Sequence, residues 1–319
     1  MTDDVLFLSG DQVTRLLSWD AAIASQRAAF VALGSSAADL PGKIMHPSRF
    51  DDSVMFAYLS RLSADTGPVA KIGSVNPGNA AAGLPTVHAV VTALDPVTGR
   101  LAAVLDGTAL TTLRTAAGSA VAVDALAGPD SADLAVLGSG TQALAHVRAL
   151  TRVRDLKSVR LWSPTERNRT RAAETLTAEL GIRVDPVGSA EEAVRDASIV
   201  AACTLSTTPV VHGAWLAPGC TVVSVGSFEP TRHEVDAEVV RRSAAVVVDD
   251  PETAAHHAGP LVAARLAPED LIPLGGVLTG ARTARTGPED IVYYNSVGLG
   301  IQDAAAAWAV IDAAREPGR

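Results

Sequence analysis

The chain has 319 residues, 48% of them hydrophobic, enough for a large core and better suited to two domains than to one. Against 26 basic residues stand 35 acidic ones, a formal charge of −9, which argues against a nucleic-acid partner because such surfaces are basic. No apolar run is long enough to cross a bilayer and no apolar signal segment opens the chain, so the expectation is a soluble, cytoplasmic protein with no membrane contact.

In chain order, Leu8-Ser9-Gly10-Asp11 predicts a capped helix through Leu17, and Ser18-Trp19-Asp20 caps a longer one through Leu33. Residues 36–52, rich in Ser, Pro and Gly, read as loop with room for one strand. Strand-like runs follow at 54–59, 69–75 and 86–95. Pro96-Val97-Thr98-Gly99 then turns the chain into a strand at 101–106. Leu110, Leu113, Ala117, Ala120 and Val121 keep helical spacing over 108–127. From Asp130 the rhythm changes. Strands at 133–137, 158–162, 197–203, 221–226 and 244–249 alternate with helices or loops, as parallel strands with crossovers do. A strand at 291–297 and a helix at 299–314 close the chain. The fold class expected is α/β. Its two cysteines, Cys203 and Cys220, fall in likely strands and read as buried reduced thiols.

The stretch LAVLGSGTQALAHV (134–147) is a strand, a G-x-G-x-x-A bend and a helix. Gly138 permits the tight turn and Gly140 lets a pyrophosphate approach the backbone. Ala143 lets helix and strand pack closely. Thr141 and Gln142 open the helix whose free N–H groups would face the phosphates. The competing reading is a turn that merely needs small residues. The second strand, SVRLW, ends without an acid to take ribose hydroxyls. Ser163 and Thr165 can hydrogen-bond a 2′-phosphate and Arg167 or Arg169 can offset its charge, which favours NADP(H) over NAD(H). Those arginines are equally at home as solvated helix residues, and Glu166 can reach a ribose, so NAD(H) stays open.

DGTALTTLRTAAGSAVA (106–122) followed by LGSGTQA (137–143) resembles the ornithine cyclodeaminase/mu-crystallin family, as do KIGSVNPGNAAAGLPT (71–86), EVD (234–236) and NSVGLGIQDAAAA (295–307). The resemblance implies a Rossmann-type nucleotide domain, 128–292, inserted into an α+β substrate-binding and dimerisation domain. That second domain is made of 1–127 and a returning segment, 293–319. It also implies a homodimer joined through substrate-domain sheets and NAD(P)-linked chemistry on α-amino or α-imino acids. By resemblance, Arg114 grips the substrate carboxylate, Lys71 stands beside the reacting nitrogen and Lys43 is a second cation for the carboxylate. Thr115, Thr204 and Ser296 match nucleotide-contact positions. One departure matters. Cyclodeaminases carry an aspartate where this chain has Phe228, in Gly226-Ser227-Phe228-Glu229-Pro230, and phenylalanine accepts no proton. Glu229 points the other way on an extended backbone.

These residues suit imine reduction. A planar guanidinium, Arg114, matches a carboxylate, and Lys71 can protonate the imine nitrogen if burial or nearby cations lower its pKa. Phe228 would supply an apolar wall. The expected activity is NAD(P)H-dependent reduction of an α-imino acid to an L-amino acid. The alternatives are an ornithine or lysine cyclodeaminase, an alanine-dehydrogenase-like enzyme, and a non-catalytic ligand-binding protein. No metal is expected: His256 and His257 are adjacent and lack ligand spacing. Read blandly, Arg114 is a surface ion pair, Lys71 a solvated strand residue and Phe228 core packing.

Overall fold

The computed structural model describes residues 5–82, 84 and 86–316; Gly83 and Pro85 of the 71–86 stretch lie outside them. The chain divides into two compact units, Met1–Arg114 with Leu299–Arg319, and Thr115–Gly298. The boundaries thus fall at 114/115 and 298/299 rather than 127/128 and 292/293. The reason is local. The helix Gly107–Leu126 contributes to both units, and Ile291–Asn295 is an interior strand of the second unit's sheet.

The first unit holds a six-stranded sheet: β1 (Leu6–Leu8), β2 (Ile44–Pro47), β3 (Val54–Ser60), β4 (Val69–Val75), β5 (Val87–Leu94) and β6 (Leu101–Asp106), in the order β1-β6-β5-β4-β3-β2. All neighbours are antiparallel except β1, which pairs parallel to β6. Ser9 caps the helix Gly10–Leu16 in a capping box with Gln12, and Ser18 caps the helix Trp19–Gly34. The helix Gly300–Arg315 packs on β3, β4 and β5 and against Trp19–Gly34. It has no polar stripe because it is covered nearly all round: Ile301, Ala304–Ala307, Val310 and Ile311 are all buried.

The second unit is an eight-stranded, wholly parallel sheet. Its strands are β7 (Asp133–Leu137), β8 (Ser158–Trp162), β9 (Val184–Pro186), β10 (Ile199–Ala202), β11 (Thr221–Ser224), β12 (Ser243–Val248), β13 (Ile272–Pro273) and β14 (Ile291–Asn295). The order is β13-β12-β14-β11-β10-β7-β8-β9. Its strands carry near-continuous Val, Ala, Leu and Ile because both faces are covered. The chain runs outward from β7 to β9 and then crosses to β10 on the other side. The switch point therefore lies between the carboxyl ends of β7 and β10, the place where doubly wound sheets bind ligands.

Candidate active site

In the first unit, antiparallel alternation turns Lys71 toward the face of the sheet on which the helix Gly300–Arg315 lies. Lys71 is only 3% exposed, Arg114 6% and Asp303, one turn into that helix, 1%. Lys71 Nζ donates to Asp303 Oδ1 at 3.1 Å and Oδ2 at 3.3 Å. Arg114 Nε donates to the same Oδ1 at 3.2 Å, and its Nη1 donates to Gln302 Oε1 at 3.3 Å. Gln302 Oε1 also accepts Leu299 N–H at 3.0 Å, fixing the start of the helix. The Tyr58 and Phe56 rings lie 5.3 and 5.8 Å from the ammonium. Burial pushes Lys71 down to about 8; Asp303 pulls it up and Arg114 pushes it further down. One carboxylate thus holds two cations in a dry site.

Lys71 and Arg114 are therefore brought together, through an acid that sequence reasoning passed over. Asp303 stands in the quoted stretch GIQDAAAA, and the available signal was an acid directly before the run of four alanines. Lys43 is half-buried and immediately precedes β2. Ile44 pairs with Ala57 and Ala57 with Ile72, so Lys43 lies one residue beyond the paired strand, in line with the Tyr58–Lys71 row, about 10 Å across the sheet.

In the second unit, Gly138 has φ +123°, and a Cβ there would stand 2.6 Å from the carbonyl oxygen of Cys203, just past β10. Its N–H donates to Trp162 O at 2.7 Å. Gly140 begins the helix Thr141–Leu150 without a side-chain cap, and a Cβ added to it would meet nothing within 4 Å. Thr141 is exposed; Gln142 Oε1 is buried without a partner among the described residues. Open space over Gly140 and uncapped N–H groups fit a dinucleotide phosphate. Thr115 is half-buried one turn before Ser119 on the helix Gly107–Leu126, and the Ser119 hydroxyl bonds Nε2 of His146 on the helix Thr141–Leu150 at 2.9 Å. His146 Nδ1 faces the Gln142 carbonyl, so it carries the proton. Burial, pushing the ring down to about 4, keeps it neutral.

After β8, Ser163 is buried with its hydroxyl toward Thr165 O at 3.4 Å, whereas Thr165 and Arg167 are exposed. Arg169 is not free: its Nη1 donates to Ser163 O at 3.2 Å. Two further buried acids organise the strand ends. Glu234 accepts Thr204 N–H (2.5 Å) and Oγ1 (2.8 Å) on one oxygen, and Ser224 Oγ (2.7 Å) and Gly226 N–H (2.6 Å) on the other. Asp249 Oδ2 accepts Ser296 Oγ at 3.1 Å and the N–H groups of Val297 and Gly298. Thr204 and Ser296 are thus both held by carboxylates at carboxyl ends of strands. Phe228 packs on this unit's core, with the Arg232 guanidinium 5.0 Å from its ring centre. Glu229 accepts Arg232 Nε at 3.0 Å, which commits that carboxylate to an ion pair. Among the described residues no three His, Cys, Asp or Glu side chains group as a metal site, and no helix is long and apolar enough to cross a membrane.

The chain is 33% identical over 260 residues to the ketimine reductase mu-crystallin of Mus musculus, covering 81% of this chain and 79% of that one. Its structure is similar to the Δ1-pyrroline-2-carboxylate reductase of Thermococcus litoralis solved with NADH and L-proline (TM-score 0.92, 30% identity, 97% of both chains). It is equally similar to an archaeal alanine dehydrogenase dimer with bound NAD (TM-score 0.91, 32% identity, 97% and 96% of the two chains). The family model for ornithine cyclodeaminase/mu-crystallin matches residues 4–318, and with these likenesses it establishes that the chain belongs to that family.

Proposed function

We propose that this protein is an NAD(P)H-dependent oxidoreductase that reduces an α-imino acid, cyclic or acyclic, to the L-amino acid. The observation that carries this is the buried Lys71–Asp303–Arg114 cluster. Asp303 and Gln302 take Arg114 Nε and Nη1, leaving Nη2 to receive a substrate carboxylate. Lys43 adds a second cation for that carboxylate. Lys71, pushed down to about 8, is still protonated near neutrality and acidic enough to pass a proton to the imine nitrogen. Protonation makes the imine carbon electrophilic, and NAD(P)H, when bound, would supply the hydride that this carbon accepts. Cyclodeamination is disfavoured, because Phe228 cannot accept a proton and Glu229 is bound to Arg232.

For the cofactor we propose Gly138, Gly140, Thr141 and Gln142 at the pyrophosphate, with Thr115, Thr204 and Ser296 as further contacts. Exposed Thr165 and Arg167, with Ser163, favour NADP(H) over NAD(H). The similarity to alanine dehydrogenase supports the same site working on primary imines. The test is to follow NADH and NADPH oxidation with Δ1-pyrroline-2-carboxylate, Δ1-piperideine-2-carboxylate, and pyruvate with ammonia or methylamine. Steady oxidation with an imine is expected. Binding of NADPH and imine without turnover across the panel would refute the assignment.

A further inference from the structure

We propose that Asp303 is a positioning residue for this reaction, holding the Lys71 ammonium in place beside Arg114 and keeping it protonated for transfer to the substrate nitrogen. The inference rests on Lys71 being the proton donor. Its geometry is independent of any ligand: both Asp303 oxygens accept from Lys71, and Oδ1 is shared with Arg114 Nε. A long, flexible lysine has no fixed position of its own. Here Nζ is fixed from the helix side by a carboxylate that also accepts Arg114 Nε, and Gln302 Oε1, accepting Arg114 Nη1 and Leu299 N–H, steadies that guanidinium. The charged and titratable groups facing Lys71 are Asp303 on the last helix, Arg114 on the helix Gly107–Leu126, and Tyr58 on β3. Arg114 and burial both favour a neutral amine, leaving Asp303 as the group that retains the proton. A buried ion pair need not add to stability, so removing the charge at 303 is better read through Lys71 than through unfolding.

The chain has three lysines, Lys43, Lys71 and Lys157, so protein labelled with 13C-lysine gives three Cε signals, assigned with Lys43→Arg and Lys157→Arg. In Asp303→Asn the Lys71 midpoint should fall by about one to three units, the loss of a close opposite charge. The alkaline limb of kcat/KM should fall with it, so that activity lost at pH 8 is partly regained at pH 6. Asp303→Glu keeps the charge but moves it by a methylene. It should hold the midpoint near the wild-type one and lower kcat about tenfold or more, since positioning supplies much of the rate. If Asp303→Asn does not fold, wild-type kcat in Asp303→Glu overturns the proposal. So does a Lys71 midpoint that Asp303→Asn leaves unchanged, or one that moves while the kinetic limb does not. If the wild-type protein reduces no imine, the functional reading fails, while the Cε titration still decides whether Asp303 holds the Lys71 proton.

Discussion

At Arg114 the geometry asks for a fork of donors, not merely a positive charge. Nε and Nη1 are spent on Asp303 and Gln302, which in the proposed reaction leaves Nη2 for the substrate carboxylate. Arg114→Lys has too few donors for all three tasks. It should raise KM for an imino acid at least about tenfold, equivalent to one lost charge-assisted hydrogen bond, and steady-state kinetics would show it. Glu234 makes a second residue-scale case. Burial pushes its carboxyl up to about 7 against the pull of its donors. A carboxyl that keeps its proton to a higher pH when folded makes stability fall as pH rises from its ordinary value of 4.5 to about 7. Glu234→Gln should flatten that slope in urea unfolding measured across the same range. Its amide must also point N–H at the backbone N–H of Thr204 or of Gly226, neither of which can turn away. A loss of about 1–3 kcal/mol is expected at pH 5. Lys71 and Arg114 stand out in the sequence because their motifs are distinctive. Asp303 and Glu234 do not, since what makes them matter is burial and shared partners, and those depend on contacts 189 and 30 residues away.

At the scale of elements, period-two and helical patterns are enough to find the long strands and helices, because each covers one face or both with apolar residues. They miss β1, β9 and β13, which have three residues or fewer and owe their pairing to the strand beside them. Nor can they set the unit boundary, since the helix Gly107–Leu126 is unbroken through Arg114 and Thr115. The glycine bend after β7 was readable, and its two glycines have separable tasks. Gly138 needs its positive φ and its closeness to Cys203 O, so Gly138→Ala should destabilise the fold, by about 1–3 kcal/mol or more. Gly140 has φ −87° and open space where a Cβ would go. Gly140→Ala should therefore leave the melting temperature nearly unchanged while weakening NAD(P)H binding at least about tenfold, because the methyl would stand in the proposed approach of the phosphate. Thermal unfolding and fluorescence titration together separate the two effects. Equal nucleotide affinity in Gly140→Ala would remove the bend from the cofactor site.

At the scale of the molecule, the six-stranded sheet is covered on one face and mostly apolar on the other, where the row His46–Met55–Ser74–His88 and Asp106 interrupt the apolar surface. The row Ile44–Ala57–Ile72–Val90 and the row Leu59–Ala70–Thr92–Val104–Phe7 share the face opposite Lys71. On that face Phe7 is 70% exposed, Ile44 66% and Ile72 55%, and Met55 and Leu59 are more than half exposed. So many contiguous large apolar side chains are unusual on a lone soluble unit and are suited to a self-complementary partner. We propose a homodimer joined across this face, as the family resemblance leads one to expect. Each of these partly exposed side chains, once fully buried there, would contribute about 1–2 kcal/mol. Ile72→Glu places a carboxylate in the middle of the face, where a two-fold axis would bring two copies close together. Ile72 alternates with Lys71, so the change leaves the face of the sheet that carries Lys71 untouched. Sedimentation equilibrium should show the wild-type protein as a dimer and Ile72→Glu as a monomer with its far-UV circular dichroism retained. A variant still dimeric at micromolar concentration would place the contact elsewhere on the protein.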